Sequence, residues 1–147
     1  MAENEHEDKA RELALIAARA MDEKKGTDIV IQHVGELLDV TDYFVICTAA
    51  NNRRVDAIAD EVREKLREQG GVSPLSTEGL EDSKWVLIDY GSIVVHIFQP
   101  KEREYYRLEQ LWDEASTVDV AEAGIDDAVY SERIATLLGR ELPQDAQ

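Results

Sequence analysis

Asp39 and Asp42 stand three residues apart with Asp28 upstream, and carboxylates spaced in this way can hold a magnesium ion or cap turns and strand ends. Capping is the simpler reading, because acids in short polar links commonly bond to their own backbone. Gly91-Ser92 opens like a nucleotidyl-transfer signature, but in-line transfer needs two metal-holding carboxylates on the strand that follows, and 93–99 (IVVHIFQ) supplies none. Ser92 also lacks a GxSxG elbow and a neighbouring base. His6, His33 and His96 are dispersed, with no HExxH, cysteine pair or His-Cys cluster, so no metal site is expected. The glycines form neither GxGxxG nor GxxxxGK[ST], so no nucleotide cradle and no cofactor are expected either. The chain reads as a binding protein rather than an enzyme.

Rings are the more informative chemistry. Residues 84–115 (KWVLIDYGSIVVHIFQPKEREYYRLEQLWDEA) contain two apolar strands, 85–90 and 93–98, on either side of a glycine turn, and then a helical pattern over 101–115 that Pro100 introduces. On a continuous helix at 100° per residue, Tyr105, Leu108, Leu111, Trp112 and Ala115 share one side and should pack inward. Tyr106 falls opposite, beside Arg103, and reads either as an interface anchor, since Tyr and Arg are enriched at hot spots, or as a lone exposed tyrosine of the common kind. Along the first strand, Val86 and Ile88 claim the core face; Trp85 and Asp89 lie on the other. Trp85 is core if a helix covers that face and exposed if the strand lies near an edge; the pattern leaves this open.

Other elements must position these groups. Ala10, Leu13, Ala14, Ala17, Ala20 and Met21 recur at helical spacing up to Lys24-Lys25-Gly26, where Gly26 suits the position past the helix end. Strands are expected over 28–34 (DIVIQHV) and 43–48 (YFVICT). Asn51 or Asn52 caps a helix whose buried stripe is Val55, Ile58, Ala59, Val62 and Leu66, ended by Gly70-Gly71. A loop with Pro74 and Gly79 follows. This order predicts a single α/β domain with a mixed β-sheet flanked by helices.

A hydrophobic share of 44% over 147 residues suffices for one core. The formal charge of −16 repels phosphate backbones, so free nucleic acid is not an expected partner; a basic protein is. The lone Cys47 fits a reducing compartment. The acidic start MAENEHEDKA lacks a signal peptide's cationic and apolar regions, and no apolar run approaches bilayer length, so no membrane partner and a cytoplasmic location are expected. Three segments are expected: an acidic tail over 1–9, a domain over 10–115 and an acidic extension over 116–147. The extension carries seven acids against two bases. It is ordered only if Ile134, Leu137 and Leu138 find a docking place.

These motifs together resemble the bacterial ribosomal silencing factor family, also called Iojap-like proteins. The matching residues are 41–48 (TDYFVICT), 53–60 (RRVDAIAD), Gly79, 85–98 (WVLIDYGSIVVHIF), Arg103, Tyr106, Leu108-Glu109 and Leu111-Trp112. The resemblance implies a nucleotidyltransferase-like shape without the catalytic carboxylates. It also implies binding to the large (50S) ribosomal subunit through its fourteenth protein, which blocks joining of the small subunit and lowers translation when nutrients are short. Carried onto matching positions, it implies partner contacts at Trp85, His96, Arg103 and Tyr106, with polar support from Asp42 and Asp89. A homodimer through the same rings is a further expectation, since some relatives self-associate. The extension after Ser116 passes the family's usual end, and Ser92 stands where an acid is frequent. The alternative is a divergent metal-dependent nucleotide-binding enzyme using Asp39 and Asp42.

Overall fold

Two helices cover one face of a mixed six-stranded sheet in the computed structural model, which describes residues 2–140. In chain order the elements are α1 (Ala2–Glu23), β1 (Thr27–Gln32), β2 (Tyr43–Thr48), α2 (Asn52–Gly70), β3 (Ser76–Glu78), β4 (Trp85–Asp89), β5 (Ile93–Phe98), α3 (Pro100–Tyr106), α4 (Leu108–Leu111), β6 (Thr117–Val118) and α5 (Glu132–Leu137). The spatial order is β3-β4-β5-β2-β1-β6. All neighbours are antiparallel except the central pair β2–β5, which is parallel from Tyr43↔Ile93 to Thr48↔Phe98.

Strand alternation sorts the side chains. Ile31, Tyr43, Val45, Cys47, Val86, Ile88, Ile93, Val95 and Ile97 point to the covered face and meet Leu13, Ala17, Met21, Ile58, Val62 and Leu66 of the two helices. Asn51 caps α2 by accepting a hydrogen bond from the Arg54 amide at 2.9 Å, and Gly71 turns left-handed just past its end. At the end of α1 it is Lys25, not Gly26, that adopts the left-handed conformation.

Four expectations change. α1 begins at Ala2, so residues 2–9 are helix rather than tail; Met1 lies outside the described residues. The loop with Pro74 and Gly79 contains β3, too short to show a periodicity, which pairs with β4. The 101–115 helix is broken: Arg107 is left-handed (φ 45°, ψ 50°) and separates α3 from α4. Finally, the segment after Ser116 is built into the fold. β6 adds to β1, after which Val120, Ala123 and Ile125 bury on the helical side against α1. The chain then recrosses the β1 edge, where the Tyr130 hydroxyl donates to the Ile29 carbonyl at 2.7 Å and the Ser131 amide to Asp28 Oδ1 at 2.7 Å. Ile134 of α5 is buried, which meets the docking condition set by its stripe, while Leu137 and Leu138 are half-buried. Glu141 and Asp145 of the acidic count lie outside the described residues.

Candidate functional site

The second face of the sheet carries Trp85, Leu87 and Asp89 from β4, His96 and Phe98 from β5, and Phe44, Ile46 and Thr48 from β2. α3 and α4 cover it only in part. Trp85, Leu87, Asp89, Phe44, Val94 and Trp112 are half-buried, while Phe98 and His96 are buried beneath them.

Across this face runs a ladder of rings. Trp85 stacks on Phe98 with centroids 4.8 Å apart and meets Tyr106 at 4.8 Å. Tyr105 lies edge-on to Tyr106 at 4.9 Å. On the other side Phe44 meets His96 at 4.8 Å and Trp112 at 6.3 Å. The outer rungs face solvent, with Tyr106 48% exposed and Tyr105 79%, and Leu111 of α4 is 70% exposed. Aromatic rings held rigid by one another yet open to solvent are suited to anchoring a protein partner at little entropic cost. Gly79 helps place Trp85, because a Cβ there would come within 2.0 Å of the Trp85 carbonyl oxygen, and its φ is 92°.

Beneath α3 and α4 lies an ionic network. Arg103 (3% exposed) donates from Nε to Glu109 Oε1 at 2.9 Å and from Nη1 to Thr48 Oγ1 at 2.9 Å. Glu109 (0% exposed) also meets Arg133 Nη1 of α5 at 2.6 Å, and Arg133 Nε donates to Glu104 Oε2 at 3.0 Å. Gln32 Nε2 donates to the carbonyls of Glu109 at 2.9 Å and Trp112 at 3.3 Å. Burial works against the Arg133 charge, but Glu109 and Glu104 outweigh it and hold its pKa above the ordinary value.

The six expected contact residues therefore separate. Trp85 and Tyr106 touch each other on the open face. His96 and Arg103 lie under it, buried. The placement of Arg103 on the wet side of its helix is corrected, and so is that of Tyr105 and Leu111 on the inner side. That inner side follows from Leu108, Leu111 and Trp112 on one continuous helix. The left-handed Arg107 cuts those residues off from α3, so they do not define the inner side on which Arg103 lies. Trp112, read as core, is half-buried at the rim of the ladder. Asp89 is on the open face but four residues along β4 from Trp85, about 13 Å by strand rise; its Oδ1 accepts from the Gly91 amide at 2.8 Å and shapes the hairpin turn. Asp42 lies at that same turn end, paired with His6 of α1 at 3.1 Å, while Asp39 is exposed nearby. Sequence reasoning missed Phe44, Phe98, Glu109 and Arg133 as parts of this site. The alternation of β2 and β5 contained the signal for the two phenylalanines; nothing in periodicity announced the ion network.

His96 is locked neutral. Burial, reinforced by the nearby Arg103 charge, lowers its pKa from 6.5 to about 3, and its Nδ1 accepts from Trp85 Nε1 at 3.2 Å, which places the proton on Nε2. Unfolding frees it to protonate at its ordinary pKa, so below pH 6.5 the unfolded chain binds the extra proton and native stability falls as pH falls, down to about 3. From pH 7 to 5 this histidine should withdraw about 2 kcal/mol. Urea titrations at both pH values should show that loss in the wild type and its removal in His96→Gln; equal losses in both would contradict it. Cys47 is buried, which pushes its thiol up to about 12 and makes it a poor nucleophile. Among the described residues no cluster of three or more His, Cys, Asp or Glu side chains is arranged to hold a metal, and no helix is long and apolar enough to cross a membrane.

The family described as "Ribosomal silencing factor during starvation" matches residues 7–137, which reaches beyond Ala115 into β6 and α5. The ribosomal silencing factor of Halalkalibacterium halodurans is 40% identical over 110 residues, covering 75% of this chain and 93% of that protein. That of Bacillus subtilis is 39% identical over 105 residues, covering 71% and 88%. A crystal structure of a Chromobacterium violaceum protein superposes with a TM-score of 0.67 at 37% identity, covering 69% of this chain and 84% of that one.

Proposed function

Because the chain belongs to the ribosomal silencing factor family, whose name is that of a translation regulator, we propose that it docks on the large ribosomal subunit and prevents the small subunit from joining. The point of attachment is the fourteenth protein of the large subunit, on the face where the two subunits meet. Docking is by the ring ladder, with Trp85 and Tyr106 as anchors; the half-open face that they form is the observation that carries this reading. Arg103 and His96 act from beneath by fixing those rings, and Asp89 and Asp42 shape the far rim. The work is exclusion, not catalysis, and needs no cofactor. A specific interface of about 800 Å² per partner suffices for it.

The charge of −16 supports a basic protein as the target and disfavours adhesion to surrounding RNA. In this reading the protein acts in the cytoplasm with its target when nutrients are limiting. A homodimer through the same rings would hide the anchors, so self-association and docking would compete. Gradient profiles of ribosomes with and without added protein test the reading. Free subunits should accumulate at the expense of joined ribosomes; undisturbed joining at saturating excess of protein rejects it.

A further inference from the structure

Resting on that reading, we infer that Arg133 is a positioning residue for the docking face: from the segment that follows the recognised motifs, it staples α3 to α4 across the break at Arg107. α3 has seven residues and α4 four, too few to hold a helical geometry unaided. The residue between them adopts a left-handed conformation that side chains other than glycine rarely take. The buried Arg103–Glu109 pair already ties the two helices at one point. A second tie from outside is what fixes the angle between them, and that angle matters because Tyr106 ends the first and Leu111 ends the second.

Arg133 comes from a third element and engages both. Its Nε reaches Glu104 of α3 at 3.0 Å, and its Nη1 reaches Glu109 at 2.6 Å and Gln110 at 3.1 Å, both in α4. The guanidinium fork suits this geometry, since its nitrogens are set at fixed directions in one plane. Its backbone is anchored in turn. Ile134 beside it is buried, and the Tyr130 and Ser131 bonds tie the strap to β1. The position of the sheet edge is thereby transmitted to α3, which carries the exposed Tyr105 and Tyr106, and to α4, which carries the exposed Leu111.

Truncating Arg133 leaves Glu109 still neutralised by Arg103, so the variant should fold. An unpositioned ring pair, not a lost core, is the expected defect. A bland alternative is that Arg133 merely clips α5 in place; it predicts loosening of α5 and none of α4.

Arg133→Ala and Arg133→Lys, measured by amide hydrogen exchange in the free protein and by co-sedimentation with large subunits, separate these. In Arg133→Ala, exchange over 107–115 should rise about tenfold while β2 and β5 stay unchanged, and affinity for large subunits should fall about tenfold. Arg133→Lys, which reaches one carboxylate at a time, should fall between. Unchanged exchange over 107–115, exchange raised throughout the sheet, or wild-type affinity despite loosened helices would each overturn the inference. Wild-type protein that itself fails to sediment with large subunits would reject the docking reading, a result distinct from a wild type that binds and an alanine variant that binds equally well.

Discussion

Glu109→Ala should cost about 3–5 kcal/mol of folding stability, the usual consequence of removing one member of a buried ion pair. Glu109 is fully buried between Arg103 at 2.9 Å and Arg133 at 2.6 Å. Deleting its carboxylate strands Arg103, itself buried, with Thr48 as its remaining side-chain partner and no counter-charge. At this chain length the melting temperature should fall by on the order of 10 °C. Replacing both members with apolar residues, Arg103→Met with Glu109→Leu, should be far milder, because no buried charge is left uncompensated. Thermal and urea denaturation of the three variants check this. A single Glu109→Ala variant within about 1 kcal/mol of the wild type would show that water reaches the pair freely, contrary to its burial.

The second large effect is on docking. Trp85→Ala and Tyr106→Ala should each weaken association with large subunits by about 1–3 kcal/mol while leaving the fold intact, since both rings are partly or largely exposed. The two touch at 4.8 Å, so their losses should not add: removing either ring leaves the other without its support. The double variant should therefore lose less than the sum of the singles. Sedimentation of folded variants with large subunits measures all three. Full co-migration of both single variants would remove these rings from the interface.

Apolar runs made β2, β4 and β5 readable, because a run such as YFVICT has few other places to go than a covered sheet. The Asn51 cap and the Gly91 turn were readable for the same reason: each solves a local backbone problem in one recognisable way. Tyr106 was correctly placed outward, yet its neighbour Tyr105 was not, because Arg107 breaks the helix and a hydrophobic wheel has no means of sensing one left-handed residue. The buried Arg103–Glu109 pair escaped for a deeper reason. Charged residues read as solvated unless their partner is known, and that partner was assigned to the same presumed helix. The segment from 117 to 140 looked like an appendage because its acids outnumber its bases and its apolar stripe is short. Val120, Ala123, Ile125 and Ile134 are few, but each finds a buried place.

The one parallel pairing, β2 with β5, has a consequence for how the chain reaches its native state. β1–β2 and β4–β5 are antiparallel partners that can zip early, each between segments close in sequence. Joining the two halves requires Tyr43 to find Ile93, after the whole of α2 and the β3–β4 hairpin have been accommodated between them. That closure loses entropy before any contact rewards it, so it should set the folding rate. A nascent chain still lacking β5 would hold neither half of its ring ladder in register, and would emerge from synthesis unable to act on the machine that is making it.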